Sequence, residues 1–78
     1  MNIRVIFGEV LRQTRMQKHI SQEQLAPDAD LDRSYVSKLE CGVYQPSLST
    51  LFALAQVLEC RPRELVDRVE EKMTQAEP

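Results

Sequence analysis

The chain has 78 residues, of which 42% are hydrophobic and 28% are charged, so it can fill the core of one small domain and is too apolar for an obligately disordered tail. This length excludes a two-domain enzyme or a large barrel. Ten basic and twelve acidic side chains give a net charge of −2, which excludes a generally basic surface, so any contact with nucleic acid must come from a few well-placed cations.

The first predicted helix runs from about Ile3 to Lys18, because its apolar side chains recur at the three- and four-residue spacing of an amphipathic helix. Gly8 lies inside this helix, where glycine is less favourable than alanine by about 1 kcal/mol. A glycine at such a position indicates that another helix approaches closely, so we expect a helix–helix contact there.

The second predicted helix is capped by Ser21. Gln24 follows three residues later, which is the pattern of a capping box, and the preceding Ile20 can pack on the helix as a hydrophobic staple. Pro27 falls at the sixth position of this helix, where proline removes a backbone hydrogen bond and crowds the preceding turn. We therefore expect a short or kinked helix that ends near Asp28.

Three further helices are predicted from apolar faces at helical spacing. The third runs from about Arg33 to Cys41, with Asp32 as its N-cap and Gly42 as the left-handed residue that ends it. The fourth is capped by Ser47, and the fifth begins with Pro62 at the first helical position, where proline is favoured.

No segment alternates between apolar and polar residues over four or more positions, so no strand is predicted. The predicted fold class is all-α. We expect a compact five-helix domain over residues 1–73, followed by a frayed tail over residues 74–78.

Side chains that carry catalysis or bind metals are sparse. Cys41 and Cys60 form no Cys-x-x-Cys pair, and only His19 is available to join them, whereas a zinc site needs about four ligands. We therefore expect reduced thiols, with no metal and no cofactor. A single histidine and the lack of a glycine-rich phosphate loop argue against an enzyme. The first residues do not match an export signal, and no apolar run approaches the roughly 20 residues of a membrane span, so we expect a cytoplasmic location without membrane contact.

The second and third predicted helices are joined by a tight turn, Ala29-Asp30-Leu31, which is the spacing of a helix-turn-helix. In that motif the second helix lies in the major groove of DNA with its first residues at the base edges, while the first helix crosses the backbone. The spacing therefore points to a nucleic-acid partner that the bulk charge does not suggest.

Three runs make this similarity specific, and they are Ser21 to Ala26, Leu31 to Glu40, and Gln45 to Leu51. Over roughly residues 7 to 65 the chain resembles the lambda-repressor-like helix-turn-helix family, the xenobiotic-response-element type of bacterial and phage transcription regulators. The run from Leu31 to Ser37 most resembles the small controller proteins of restriction–modification systems. The resemblance implies a five-helix domain that binds a palindromic operator in double-stranded DNA as a homodimer, with the helix over residues 33–41 in the major groove.

By position in the family motif, the resemblance also implies roles for individual side chains. Four are expected to face base edges: Arg33, Ser34, Ser37 and Lys38. Four are expected to contact phosphates: Ser21, Gln22, Tyr35 and Tyr44. Two are expected to form a structural ion pair: Arg15 and Glu40. Arg33 is the main candidate for base reading, because a guanidinium can bond guanine O6 and N7 together, worth about 1–3 kcal/mol of discrimination.

Each of these assignments has a structural alternative. Arg33 and Lys38 can be part of a solvated helix face, Gln22 can be an ordinary polar residue of a first helical turn, and Tyr35 can pack in the core. Several apolar side chains can either complete the core of the monomer or form a dimer interface. They are Phe52, Val57, Val66 and Val69.

The chain departs from the family pattern at the turn, where Asp30 takes the place of the usual glycine. Asp28, Asp30 and Asp32 put three carboxylates beside the expected DNA face, and they should repel phosphates. An alternative function is therefore a protein-interaction module that has kept this fold and lost DNA binding. For a regulator, further partners are RNA polymerase, contacted through acidic residues on the third or fourth helix, or an antagonist protein.

Overall fold

The computed structural model describes residues 2–76 and contains five α-helices without a strand in that range. The helices are α1 (Ile3–Gln17), α2 (Gln22–Asp28), α3 (Arg33–Glu40), α4 (Leu48–Val57) and α5 (Pro62–Ala76). The predicted all-α, five-helix fold is confirmed, and the ends of α1, α2 and α3 lie within about two residues of the predicted ends. No helix in residues 2–76 is long and apolar enough to cross a membrane.

The frayed tail was predicted to begin at residue 74, but α5 extends beyond that residue. α5 continues through Thr74 and Gln75 to Ala76, and the hydroxyl of Thr74 donates to the carbonyl of Glu70 at 3.0 Å. The apolar face of α5 continues to Met73, which packs against the core, so this part of the helix is held against the domain. Residues 77 and 78 lie outside the described residues.

The predicted helix caps are present, with one exception. The Ser21 hydroxyl accepts from the backbone N–H of Gln24 at 3.1 Å, and the Gln24 side chain accepts from the Ser21 N–H at 2.9 Å, so the capping box is complete. The Ser47 hydroxyl caps α4 by accepting from the Thr50 N–H at 3.1 Å. Asp32 occupies the N-cap position of α3, but its carboxylate accepts no capping hydrogen bond.

Leucine side chains from all five helices meet in one core. α1 packs on both α3 and α5, while α2 packs on α3 and α4. The largest side chains with less than 2% of their surface exposed are Leu11, Leu25, Leu39, Leu54, Leu58, Leu65, Val10 and Val36. The buried side of α3 therefore packs against this core, and the opposite side of the helix faces solvent.

The contact expected at Gly8 is the crossing of α1 over the end of α3. A Cβ at Gly8 would lie 2.5 Å from the carbonyl oxygen of Glu40 and 2.6 Å from that of Leu39. These are backbone atoms that cannot rotate away, so any side chain here would push the two helices apart. Gly8 thus fixes how deeply the C-terminal end of α3 sits in the domain.

The turn between α2 and α3 is closed by backbone hydrogen bonds. Asp30 has φ 59°, a left-handed conformation that Asp tolerates better than most residues. The N–H of Leu31 then donates to the carbonyl of Ala26 at 2.8 Å. Asp30 therefore supplies the conformation for which the family usually uses glycine. Gly42, with φ 79°, ends α3 as predicted.

Candidate nucleic-acid interface

α3 presents one polar face to solvent. Its apolar residues Val36 and Leu39 are fully buried, which fixes the rotation of the helix. The four side chains predicted to face base edges lie away from them, with Arg33, Ser34 and Lys38 exposed and Ser37 half-buried. Residues separated by three or four positions share a helix face, so the structure brings these four side chains together on one surface.

Arg33 makes one charge contact in this surface. Its Nε lies 3.6 Å from Oε2 of Glu23 in the first turn of α2, and the two side chains are 61% and 64% exposed. At 3.6 Å this contact is an ion pair that is longer than a hydrogen bond. The sequence reasoning did not find this pair, because it depends on the angle at which α2 crosses α3.

Arg15 and Glu40 form a buried, two-pronged ion pair between α1 and α3. Arg15 Nε and Nη2 donate to the two Glu40 carboxylate oxygens at 2.7 and 3.0 Å, and the side chains are only 13% and 4% exposed. The hydrogen bond to Glu40 raises the pKa of Arg15, with a smaller contribution from the charge of Glu23. Arg15 Nη1 also donates to the Ile20 carbonyl at 2.9 Å, so one guanidinium connects three parts of the chain.

Gln22 belongs to the same network. Its side-chain Nε2 donates to Oε1 of Glu40 at 3.0 Å, and the residue is half-buried. One N–H of the amide is therefore used inside the protein. The sequence contains no signal for this contact, since the two residues lie 18 positions apart on different helices. Ser21, beside it, is exposed, and its hydroxyl hydrogen is free because the oxygen acts as the acceptor in the cap.

Two tyrosines form a platform next to the polar face of α3. The rings of Tyr35 and Tyr44 stack with centroids 5.9 Å apart and planes at 28°, and Lys38 Nζ lies 5.7 Å from the Tyr44 centroid. Tyr35 is half-buried and packs against the core, whereas Tyr44 is 45% exposed. Tyr35 therefore has a structural role in the core, and its contact with Tyr44 orders the loop after α3 beside Lys38.

Comparison with known proteins identifies this arrangement. The helix-turn-helix family profile matches residues 11–65. The chain belongs to the helix-turn-helix family. Control protein C.BamHI of Bacillus amyloliquefaciens is 40% identical over 67 residues, which cover 85% of this chain and 83% of that protein.

Two solved structures extend the comparison to the fold. Restriction-modification controller protein C.AhdI from Aeromonas hydrophila superposes with a TM-score of 0.77 at 47% identity, covering 80% of this chain and 94% of that chain. A chain of the SinR protein/SinI protein complex superposes with a TM-score of 0.76 at 30% identity, covering 85% of this chain and 65% of that one. The resemblance to lambda-repressor-like regulators and to restriction–modification controllers is thus confirmed.

α4 and α5 also expose large apolar side chains. Phe52 and Val66 are 56% and 51% exposed, and Leu48 is 71% exposed. Between α4, α5 and the start of α1 lies a groove of about 240 Å³, whose lining includes Leu48 and Val66. The helical spacing of Leu48 predicts burial with the other leucines of α4, and this prediction is wrong, because Leu48 lies in the first turn of α4 beyond the core.

Two of the predicted interface residues belong to the core instead. Val69 is only 8% exposed and lies in the main apolar cluster, while Val57 is half-buried and packs against that cluster. An apolar position on α5 or α4 does not by itself show whether it faces the core of its own chain or a partner. The packing of α5 on α1 turns Val69 inward.

The acidic residues are not where contact with RNA polymerase was expected. Glu40 is the only acidic residue of α3 and is held in the buried ion pair, and α4 contains no Asp or Glu. Asp28, Asp30 and Asp32, by contrast, are all exposed around the turn of the helix-turn-helix. The structure therefore places three exposed carboxylates around this turn.

Cys41 and Cys60 are both free thiols, exposed and half-buried respectively. Burial, with a contribution from the charge of Glu64, raises the pKa of the Cys60 thiol. A raised pKa disfavours the reactive thiolate at neutral pH. Residues 2–76 contain no group of three or more side chains placed to hold a metal ion.

Proposed function

We propose that this protein is a sequence-specific transcription regulator that binds a palindromic operator in double-stranded DNA as a homodimer, with α3 in the major groove. The observation that carries the proposal is the outward polar face of α3, which bears Arg33 and Lys38 and is held from behind by the fully buried Val36 and Leu39. An α-helix has about the width that the major groove admits. A helix anchored in this way enters the groove without moving relative to the domain.

Base reading is assigned to the first half and the centre of α3. Arg33 can present two N–H groups to guanine O6 and N7, while Ser34, Ser37 and Lys38 can bond to neighbouring base edges. All four lie on the face that the core leaves free. Their number matches the three or four side chains by which such helices usually read a half-site.

Phosphate contacts are assigned to the residues that flank this helix. Ser21 and Gln22, at the start of α2, each keep one donor that is not used within the protein. Tyr35 and Tyr44 stack on each other, and the cation of Lys38 lies near the Tyr44 ring, so their hydroxyls and this cation can bind phosphates together. Contacts of this kind fix the position and register of a protein on DNA without reading sequence.

Dimerisation is assigned to the apolar face formed by Leu48, Phe52 and Val66. A single domain has no reason to leave three large apolar side chains more than half exposed on adjacent helices, and such patches commonly mark interfaces. In a two-fold dimer the same patch meets its own copy. The two α3 helices would then enter successive major grooves about 34 Å apart.

An antagonist protein would act at the same apolar face. The similarity to a chain of the SinR protein/SinI protein complex supports this assignment, since that protein is one that associates with a second protein. A competitor that covers Leu48 and Phe52 would prevent pairing of two copies and so remove one half-site contact. We assign no polymerase contact to α3 or α4, because neither offers an exposed carboxylate. A regulator of bacterial or phage genes acts in the cytoplasm, where the DNA is.

The proposal is tested by selecting bound sites from random double-stranded DNA at fixed, moderate salt. The expected result is a palindrome whose half-sites lie about one helical turn apart, since a two-fold dimer reads both halves alike. Binding to the selected site should weaken as salt is raised, because phosphate contacts release counterions. Recovery of no consensus from protein shown to be folded by circular dichroism would contradict the proposal and favour the protein-interaction module.

A further inference from the structure

The contact between Glu23 and Arg33 spans the turn of the helix-turn-helix. Glu23 lies in the first turn of α2, and Arg33 is the first residue of α3. Their contact joins Oε2 of Glu23 to Nε of Arg33 at 3.6 Å. A carboxylate from the helix that crosses the DNA backbone thus touches the side chain to which base reading is assigned.

The atom of Arg33 that Glu23 contacts has a consequence for base reading. A guanidinium has five N–H groups in a fixed fork, one on Nε and two on each terminal nitrogen. The Glu23 carboxylate approaches Nε, which is the end of the guanidinium opposite the tip formed by the two terminal nitrogens. That tip presents two parallel N–H groups, which is the arrangement that guanine O6 and N7 accept.

Glu23 also limits the freedom of a long side chain. The Arg33 side chain is 61% exposed, so packing does not hold it, and a free arginine loses much rotamer freedom when it binds. In water the pair contributes little, because exposed ion pairs are screened and entropically costly. Between protein and DNA, water is partly excluded and the same attraction becomes stronger. The pair therefore matters most in the bound state.

We infer that Glu23 is a specificity-determining positioning residue, which holds the Nε side of Arg33 so that its terminal nitrogens face a guanine. This inference rests on the proposed function and adds to it the base that Arg33 reads and the residue that orients it. In the proposed complex, in which α2 crosses the DNA backbone, Glu23 would bring a negative charge near the phosphates. Its removal should therefore strengthen binding to DNA of any sequence while weakening the preference for guanine.

The test separates these two effects with a matched control. Glu23→Gln and Asp28→Asn each convert one exposed carboxylate of α2 into an amide, and Asp28 has no ion-pair partner among residues 2–76. The dissociation constant is measured by fluorescence anisotropy on three duplexes. They are the site recovered by selection, the same site with the guanine of each half-site replaced by 7-deazaguanine, and an unrelated sequence.

The two variants should gain the same small factor in affinity for the unrelated duplex. Glu23→Gln alone should lose discrimination between guanine and 7-deazaguanine, by about three- to tenfold, as is usual when residues in contact are coupled. In an Arg33→Ala background, Glu23→Gln should change affinity for guanine and 7-deazaguanine by one common factor. All variants should unfold at the temperature of the unmodified protein, because both carboxylates are exposed.

Three results have distinct meanings. If Glu23→Gln keeps the guanine discrimination of Asp28→Asn, Glu23 is only a surface charge and the inference is overturned. If Glu23→Gln increases discrimination, Glu23 competes with the base for Arg33, and the inference is again overturned. If the unmodified protein shows no sequence preference, the proposed function itself has failed, and that is decided before any variant is made.

Discussion

Two arginine–glutamate pairs join α3 to other helices, one to α1 and one to α2, and they differ in burial. Arg15 and Glu40 meet at 2.7 Å with side chains 13% and 4% exposed, whereas Arg33 and Glu23 meet at 3.6 Å with side chains more than 60% exposed. The first pair is completed by a further hydrogen bond from Gln22 to Glu40. The second pair leaves the end of its guanidinium open.

The difference shows how one chemistry serves two purposes. A buried charge must be fully paired, so every oxygen of Glu40 has a partner, and the Arg15 pair is committed to the fold. An exposed charge is solvated and can exchange water for a ligand at little cost, so Arg33 is free to bind.

The largest effect is expected from breaking the buried pair. Glu40→Ala removes the acceptor of three hydrogen bonds and leaves the Arg15 guanidinium buried with only the Ile20 carbonyl. We expect the free energy of unfolding to fall by about 3 kcal/mol, and the melting temperature by roughly 12 °C or more for a domain of this size. Urea denaturation followed by circular dichroism measures the change.

The matched control truncates the exposed pair in the same way. Glu23→Ala should alter the free energy of unfolding by less than about 0.5 kcal/mol, as exposed pairs usually do. Equal losses in the two variants would mean that burial does not distinguish the pairs. The hydrogen bond to Glu40 raises the pKa of Arg15 above its ordinary value. The stabilisation from that raised pKa is therefore present below the ordinary arginine pKa and lost only in strong alkali.

The elements that the sequence predicts correctly are those with local causes. The capping box at Ser21, the cap at Ser47 and the helix end at Gly42 each follow from residues a few positions apart. The close helix contact at Gly8 was predicted from the presence of glycine inside a helix, where it is energetically unfavourable. These signals do not require knowledge of how the helices pack.

The features that the sequence does not predict depend on packing between helices. The Gln22–Glu40 bond, the Glu23–Arg33 pair and the Tyr35–Tyr44 stack each join separate elements. Val69 was left open between the core and an interface, because helical spacing identifies an apolar face but not the neighbour that covers it. The Arg15–Glu40 pair was expected only through the family resemblance, since 25 residues separate its members.

A second prediction concerns the open end of Arg33. Arg33→Ala should remove the preference for one base pair in each half-site, worth about 1–3 kcal/mol, while the free energy of unfolding stays within about 0.5 kcal/mol because the side chain is exposed. Repeating the selection of bound sites with the variant checks the first part, and urea denaturation checks the second.

The control for this variant is Gln22→Ala. Its amide is assigned to a phosphate, so it should weaken binding to all sequences about equally and leave the selected consensus intact. Because Gln22 also donates to Glu40, its stability is measured separately. An unchanged consensus from Arg33→Ala would show that the base-reading assignment on α3 is wrong.

The smallest effect is expected from the unpaired carboxylates at the turn. Asp28 and Asp30 are exposed, and Asn can replace both without disturbing the backbone, since it tolerates the left-handed conformation of Asp30 as well as Asp does. Asp28/Asp30→Asn should tighten DNA binding about two- to fivefold at low salt, and the gain should shrink as salt screens the charges. Anisotropy titrations at two salt concentrations measure this gain in affinity.

The control variant is Glu70/Glu71→Gln, which makes the same change of charge on α5. This helix packs on α1 and α4 rather than on the helix-turn-helix, so the control should give a smaller gain. An equal gain from both would assign the effect to net charge instead of to the turn. If the chain is instead an interaction module, the Asp28/Asp30→Asn change would leave DNA binding absent and weaken a protein complex, because the same carboxylates would then be contacts and not obstacles.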